Sequence, residues 1–308
     1  MLNKLRGAKE MAIVGLDIGN ITTVAVSELR EIILESRLSK ATDINKLGSE
    51  EIFTFEEVEY VANSGLFENN LIKHEKENFV TLMYYAISKA TSSNKIQLFT
   101  GIPASQYNIK RKELEEFIKA NNSKTIKVDG ITRTIEIDQV HVVPEGYNIK
   151  TLRDIVNKCI PGLKILAIDI GGGTTDIAEF DANWKFTGGE SIRYGLLDLY
   201  REARRYINDT YNLNVSLEEA KAYFDGKLDL INGDTAYKNT IMKEFIRNIV
   251  NELRGIYQNL SNMNLILAGG GGQKIEPTFT KLYNQTILAQ GIDTTARGFY
   301  NIGVKKNG

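Results

Sequence analysis

Two hydrophobic runs in this chain break at glycine and resume almost at once, "AIVGLDIGNITTVAV" (Ala12 to Val26) and "KILAIDIGGGTTDIAEF" (Lys164 to Phe180). An apolar run, a glycine bend and a second apolar run predict strand, tight turn, strand. The two stretches align without a gap. "LDIGNITTVA" (Leu16 to Ala25) and "IDIGGGTTDI" (Ile168 to Ile177) share Asp, Ile, Gly, Thr and Thr at the same offsets. A repeat of this kind implies two related halves facing each other.

Between and after the repeats, strand and helix patterns alternate. "KIQLFTGIP" (Lys95 to Pro103) reads as a buried strand ending at a Gly/Pro turn. "RKELEEFIKAN" sets Leu114, Phe117 and Ile118 on one helical face. In "IKVDGITRTIEID", Asp129-Gly130 between β-rich runs predicts a hairpin. "GLLDLYREARRYI" is amphipathic through Leu196, Leu199, Tyr200, Ala203, Tyr206 and Ile207. From Ile241 to Leu260 the apolar series Ile241, Phe245, Ile246, Ile249, Val250, Leu253, Ile256, Tyr257, Leu260 keeps helical spacing. "NLILAGGGG" then reads as a buried strand stopping in glycines. Strands and helices in this order predict an α/β protein whose apolar stripes are core.

Composition narrows the field without naming a function. With 308 residues the chain is long enough for two domains and a substantial core. A net charge of −1 argues against direct nucleic-acid binding. No apolar run reaches membrane-spanning length, and the beginning does not read as a secretory signal. The lone cysteine, Cys159, forms no internal disulfide, reads as a small buried residue, and suits a reducing cytoplasm.

The chemistry concentrates where glycines end strands: Gly19-Asn20, Gly171-Gly172-Gly173, and Gly269 to Gly272. Successive N–H groups without Cβ atoms make a concave anion site, and Thr22, Thr23, Thr174 and Thr175 add hydroxyl donors. Neither a P-loop string nor a helix-opening dinucleotide fingerprint occurs. Asp17 and Asp169 hold matching places at the strand ends. Two carboxylates facing one phosphate chain would repel it without a cation, so the pair implies Mg²⁺ held largely through water. Asp176, where the first copy has Val24, reads as a supporting or turn residue.

The order D-x-G-x-x-T-T, a central P-E-G in "VHVVPEGYN" (Val140 to Asn148), D-x-G-G-G-T-T-D and a glycine-ended strand resembles the actin, heat-shock chaperone and sugar kinase superfamily. "LFTGIPASQYNIKRKEL" and "DTTARGFYNIG" look most like its ParM branch, the plasmid-segregating bacterial actins. The resemblance implies an actin-like, ribonuclease H-like two-domain fold, with nucleotide in the interdomain cleft. One domain would take residues 1–160 and 291–308, the other 161–290.

The resemblance also implies roles. Asp17 would position Mg²⁺, with Gly19, Asn20 and Thr22 holding the β-phosphate. Gly171, Gly172, Gly173 and Thr174 would hold the β- and γ-phosphates, with Asp169 organising metal-bound water. Glu145 would polarise the attacking water, and Gly269, Gly270 and Gly271 would let the adenosine lie close. Glu219 or Lys221, in "VSLEEAKAY", would reach the base. One departure stands out: actin and several ParM proteins have a lysine in the first phosphate hairpin, and this chain has "ITTVAVSE". Either another cation serves, or Mg²⁺ and backbone amides suffice. Neither histidine matches a catalytic position; His74 reads as solvated and His141 as a strand residue.

The function expected from the resemblance is a filament-forming ATPase, with GTP as the alternative nucleotide. It would segregate plasmid DNA through a small DNA-binding adaptor of the ParR type, without touching nucleic acid or membrane itself. Alternatives on the same fold are a small-molecule kinase, a chaperone ATPase and a cell-shape or division actin.

Overall fold

The structure is a computed structural model, and it describes residues 11–48, 51–229 and 236–307. Among these residues fourteen strands form two sheets. The first contains β1 (Ala12–Ile18), β2 (Thr22–Val26), β3 (Glu31–Glu35), β4 (Leu38–Lys40), β5 (Ile52–Phe55), β6 (Val58–Ala62), β7 (Lys95–Ile102), β8 (Ser123–Val128) and β9 (Ile131–Pro144), ordered β3-β2-β1-β7-β9-β8-β5-β6-β4. The second contains β10 (Lys164–Ile170), β11 (Thr175–Phe180), β12 (Phe186–Ile192), β13 (Met263–Ala268) and β14 (Thr286–Leu288), ordered β12-β11-β10-β13-β14.

The sequence repeat is also a repeat of topology. In each half an antiparallel meander (β1, β2, β3 or β10, β11, β12) continues into two parallel strands, β7 and β9 or β13 and β14. The hairpin registers match as well: Asp17 pairs with Val24, and Asp169 with Asp176. The predicted hairpin at Asp129-Gly130 forms between β8 and β9, with Asp129 and Gly130 both at positive φ (50° and 79°). That is the two-residue turn whose twist suits adjoining strands.

Helices cover the sheets where their apolar faces demand it. They are α1 (Asp43–Lys46), α2 (Phe79–Ala90), α3 (Tyr107–Ala120), α4 (Arg153–Val156), α5 (Leu196–Tyr211), α6 (Leu217–Phe224), α7 (Ala236–Ile256), α8 (Gly269–Leu282) and α9 (Thr294–Asn307). Leu114 and Ile118 of α3 are buried and Phe117 packs beside them. Leu196, Leu199, Tyr200, Ala203 and Ile207 of α5 are buried. The apolar series begun at Ile241 runs past its helix, because α7 stops at Ile256, which is exposed, and Asn259 turns left-handed at φ 60°. Tyr257 and Leu260 are buried all the same, within the turn that returns to β13.

Helix α9 lies directly on the first sheet. A Cβ at Gly15 of β1 would strike the carbonyl oxygen of Ala296, and one at Gly303 would lie 2.7 Å from Phe99. Conversely, Ile21 at the first hairpin's tip packs into the second sheet's hydrophobic core, beside Ile170 and Leu196. The last helix therefore returns to the first sheet while the first hairpin reaches toward the second. Among the described residues no helix is long and apolar enough to cross a membrane.

Candidate active site

The two glycine hairpins close in the same way and face each other. Gly19 N–H donates to Thr22 O and Gly171 N–H to Thr174 O, both at 2.9 Å. The loops approach so closely that a Cβ at Gly172 would lie 2.8 Å from Ile21 Cγ1. One at Gly173 would lie 3.1 Å from Asn20 Nδ2. At Gly172 a side chain would displace Ile21 before any ligand is considered, whereas at Gly173 the Asn20 side chain would have to give way by a few tenths of an ångström. Between the hairpins is a cavity of about 60 Å³ lined by Asp17, Glu145, Asp169 and Asp176.

Glu145 reaches this cavity because β9 ends at Pro144 and its chain turns there. The Glu145 N–H donates to Ile102 O at 2.8 Å, and Gly146 follows at φ 78°. The Asp169 carboxylate accepts from Thr295 Oγ1 of α9 at 2.8 Å. Asp176 accepts from Thr174 Oγ1 and Ser191 Oγ, each at 2.6 Å, so it is a buried brace for the second hairpin.

Two buried lysines enter from the segment before α2. Lys73 Nζ lies 2.9 Å from Asp17 Oδ1 and 2.5 Å from Glu145 Oε1. Lys76 Nζ donates to Ile18 O at 3.1 Å and to Asn20 Oδ1 at 2.9 Å. The hairpin's missing lysine is therefore matched by cations from elsewhere in the chain. Nothing in "LIKHEKENF" marks its lysines as site residues; the one available signal was the hairpin's own lack of a cation. His74 beside them is not solvated as expected. Its ring packs 5.8 Å from Phe117, and its Nδ1 is buried. His141 is in β9, against the Phe99 ring.

The electrostatics are strained toward negative charge. Burial, aided by Asp17, pushes the Asp169 carboxyl up to about 7. Burial and then Glu145 push Asp176 up to about 7. Glu145 itself is raised by burial, against the pull of Lys73. At Lys73 burial opposes the charge, but Asp17 and Glu145 outweigh it and hold the ammonium above its usual range. Burial, then repulsion by Lys73, brings Lys76 down to about 7. Hard carboxylate oxygens with this excess of negative charge suit a divalent cation such as Mg²⁺. Asp17 and Asp169 are the residues that would hold it. Among the described residues no three acidic, histidine or cysteine side chains are grouped to ligate a metal directly.

A larger cavity of about 670 Å³ adjoins the hairpins, bounded by Thr22, Glu35, Lys221, Gly270 and Lys274. Lys221 stands 3.6 Å from both Glu35 of β3 and Asp225, so it bridges the two halves. Asp225 also accepts from Lys274 at 2.6 Å. Glu219 is elsewhere: it is exposed, and its carboxylate accepts from Ser216 N–H in the capping box that starts α6.

The third glycine run is not a hairpin turn but the first turn of α8. Gly269 bends the chain from strand to helix at φ 73°, and its bare Cα leaves room for the Asp169 carboxylate. Gly271 is pressed on Ile170 and does not line the cavity. Close helix–strand packing here overrides the poor helix propensity of glycine. Sequence reading missed Lys73, Lys76 and Thr295, all distant in sequence from the hairpins.

Residues 15–147 match the family described as "Actin like proteins N terminal domain". No curated protein matches the sequence. Among solved structures, a 15-stranded ParM filament from Clostridium botulinum aligns over 96% of this chain and 100% of its own, at 17% identity and a TM-score of 0.77. A non-polymerisable quadruple mutant of pCBH ParM aligns over 96% and 99%, at 19% identity and a TM-score of 0.82. An archaeal actin homologue in complex with ADP aligns over 96% and 100%, at 17% identity and a TM-score of 0.78. Two duplicated half-sheets, opposed glycine hairpins and these alignments give the chain the actin-like fold shared by ParM and the archaeal actin homologue.

Proposed function

We propose that this protein is a nucleotide-hydrolysing cytomotive filament: it binds Mg·ATP between its halves, polymerises, and hydrolyses the nucleotide within the polymer. The observation that carries the reading is the opposed pair of glycine hairpins, with Asp17, Asp169 and Glu145 gathered at one cavity. Hairpin amides of Gly172 and Gly173 receive phosphate oxygens, as successive N–H groups do in anion nests, while the Gly19 and Gly171 N–H groups close the hairpins. The larger cavity beyond Gly270 and Lys221 takes the nucleoside. Mg²⁺, held through water by Asp17 and Asp169, would neutralise phosphate charge. Glu145 orients the water that attacks the terminal phosphate and takes up its proton.

Self-assembly is the partner interaction that the reading requires, and relatives described as ParM and Alp12 filaments support it. The finer proposal is plasmid segregation in the cytoplasm, with a small ParR-type adaptor contacting DNA. The net charge of −1 suits a chain that leaves DNA contact to an adaptor.

The test is sedimentation and phosphate release with Mg·ATP and Mg·GTP. Glu145→Ala should polymerise, with phosphate release down about 100-fold or more, in the range of losing a positioned base, and the polymer should persist longer. A chain that stays monomeric with either nucleotide and phosphorylates a sugar would overturn the reading in favour of a small-molecule kinase.

A further inference from the structure

The segment from Glu68 to Lys76, between β6 and α2, belongs to no motif, yet it is built firmly into the site. Asn20 Nδ2 donates to the carbonyls of Glu68 and Asn70, at 2.9 and 3.3 Å. The Glu68 carboxylate accepts the N–H groups of Asn69, Asn70 and Glu77, at 2.8 to 3.0 Å. Asn70 Oδ1 accepts the Ile72 N–H at 2.9 Å. Lys76 fastens the far end to the first hairpin through Ile18 and Asn20. The strap thereby aims Lys73, whose side chain is only 6% exposed, between Asp17 and Glu145.

Lys73 and Lys76 are the cations among the described residues lining this cavity, against four carboxylates. The hairpins offer a polyphosphate dipoles but no charge. Lys76 has two N–H groups engaged by the first hairpin. Lys73, by contrast, is held by Asp17 and Glu145, the two groups that the proposed metal and attacking water would claim. Once the metal claims Asp17, the ammonium has an N–H group to give a new anion. The contact with Glu145 meanwhile keeps that carboxylate next to whatever Lys73 binds.

We propose that Lys73 binds the terminal phosphate of a nucleoside triphosphate and positions Glu145 against it, so the strap rather than the hairpin supplies the charge that distinguishes triphosphate from diphosphate. This rests on the nucleotide reading above. The test is equilibrium titration of the whole chain with ATP and ADP, each with Mg²⁺ and with EDTA. Lys73→Met should lose about 10- to 100-fold in ATP affinity, the range for a buried hydrogen bond to a charged group. ADP affinity should change by less than about threefold, and Lys73→Arg should recover part of the loss. Removing the buried negative charge as well, in Lys73→Met with Glu145→Gln, guards against misfolding of the single variant. Compared with Glu145→Gln alone, the double variant should still show the ATP-specific loss. An unchanged ATP-to-ADP ratio in Lys73→Met, or a normal ratio in the double variant, would overturn the proposal by showing that Lys73 merely neutralises Glu145. A wild-type chain that binds neither nucleotide would instead overturn the reading beneath it.

Discussion

At the scale of single residues, the site is a set of buried groups whose partners come from distant points in the chain. Thr295 illustrates this. Its hydroxyl donates to Asp169, while its carbonyl accepts from Asn148 Nδ2 at 3.1 Å. One residue at the start of α9 thus ties the second hairpin's acid to the connection after β9. Thr295→Val keeps the shape but removes the donor, leaving a half-buried carboxylate short of a partner. That should cost about 1–3 kcal/mol, read as a lower midpoint in urea unfolding, whereas Thr295→Ser should stay near wild type. Asp169 was legible in the sequence because its motif is repeated. Thr295 was not, because nothing in "DTTARGF" shows which threonine faces an acid so far away in the chain.

At the scale of elements, close approach decides where glycine is indispensable. Helix α9 sits on β1 so tightly that a Cβ at Gly15 would overlap backbone atoms of Ala296 and Tyr300, which cannot rotate aside. Gly15→Ala should therefore cost about 3 kcal/mol or more, at the upper end of overpacking penalties. The turn glycine Gly130, at φ 79° with open space around its Cα, should lose only about 1 kcal/mol on the same change. Thermal melts of the two variants check the contrast. In sequence Gly130 declares itself through the Asp-Gly pair, but nothing near Gly15 shows the helix that presses on it, because that helix arrives from the other end of the chain. Helix α8 makes the same point in reverse. Its opening glycines read as a turn by local propensity, yet they are helical because β10 packs against them.

At the scale of the whole molecule, folding gathers more negative charge into the cleft than its lysines balance, and this gives stability a definite pH dependence. Asp169 and Asp176 are raised from 3.8 to about 7, so the folded chain keeps protons that the unfolded chain would release. Their contribution is present in full below about pH 3.8 and is lost as pH rises through 7. Lys76 is lowered from 10.5 to about 7, so the unfolded chain binds the extra proton between those values, and stability rises with pH there. These groups together place a stability minimum near pH 7 in the nucleotide-free protein. Urea unfolding at pH 5.5, 7 and 8.5 checks it: Asp169→Asn should flatten the acidic limb, and Lys76→Met the alkaline one. A midpoint that climbs steadily from pH 5.5 to 7 would count against the buried-carboxylate account. Mg²⁺ with nucleotide should stabilise most where the carboxylates are ionised, above pH 7.

The sequence by itself determined what is local or duplicated: the two glycine hairpins with Asp17 and Asp169 in matching registers, the Asp129-Gly130 turn, and the apolar faces of α3 and α5. Such features follow from the preferences of a few neighbouring residues, and a repeat states them twice. Only the tertiary structure decided that Lys73 and Lys76 supply the missing cations, that Glu219 stays outside the cavity lining, and that Thr295 holds Asp169. A charged side chain reads as solvated wherever its neighbours in sequence are polar. Its burial and pairing depend on what the opposite half brings to the same point, and that is a property of the closed fold, not of any stretch of chain.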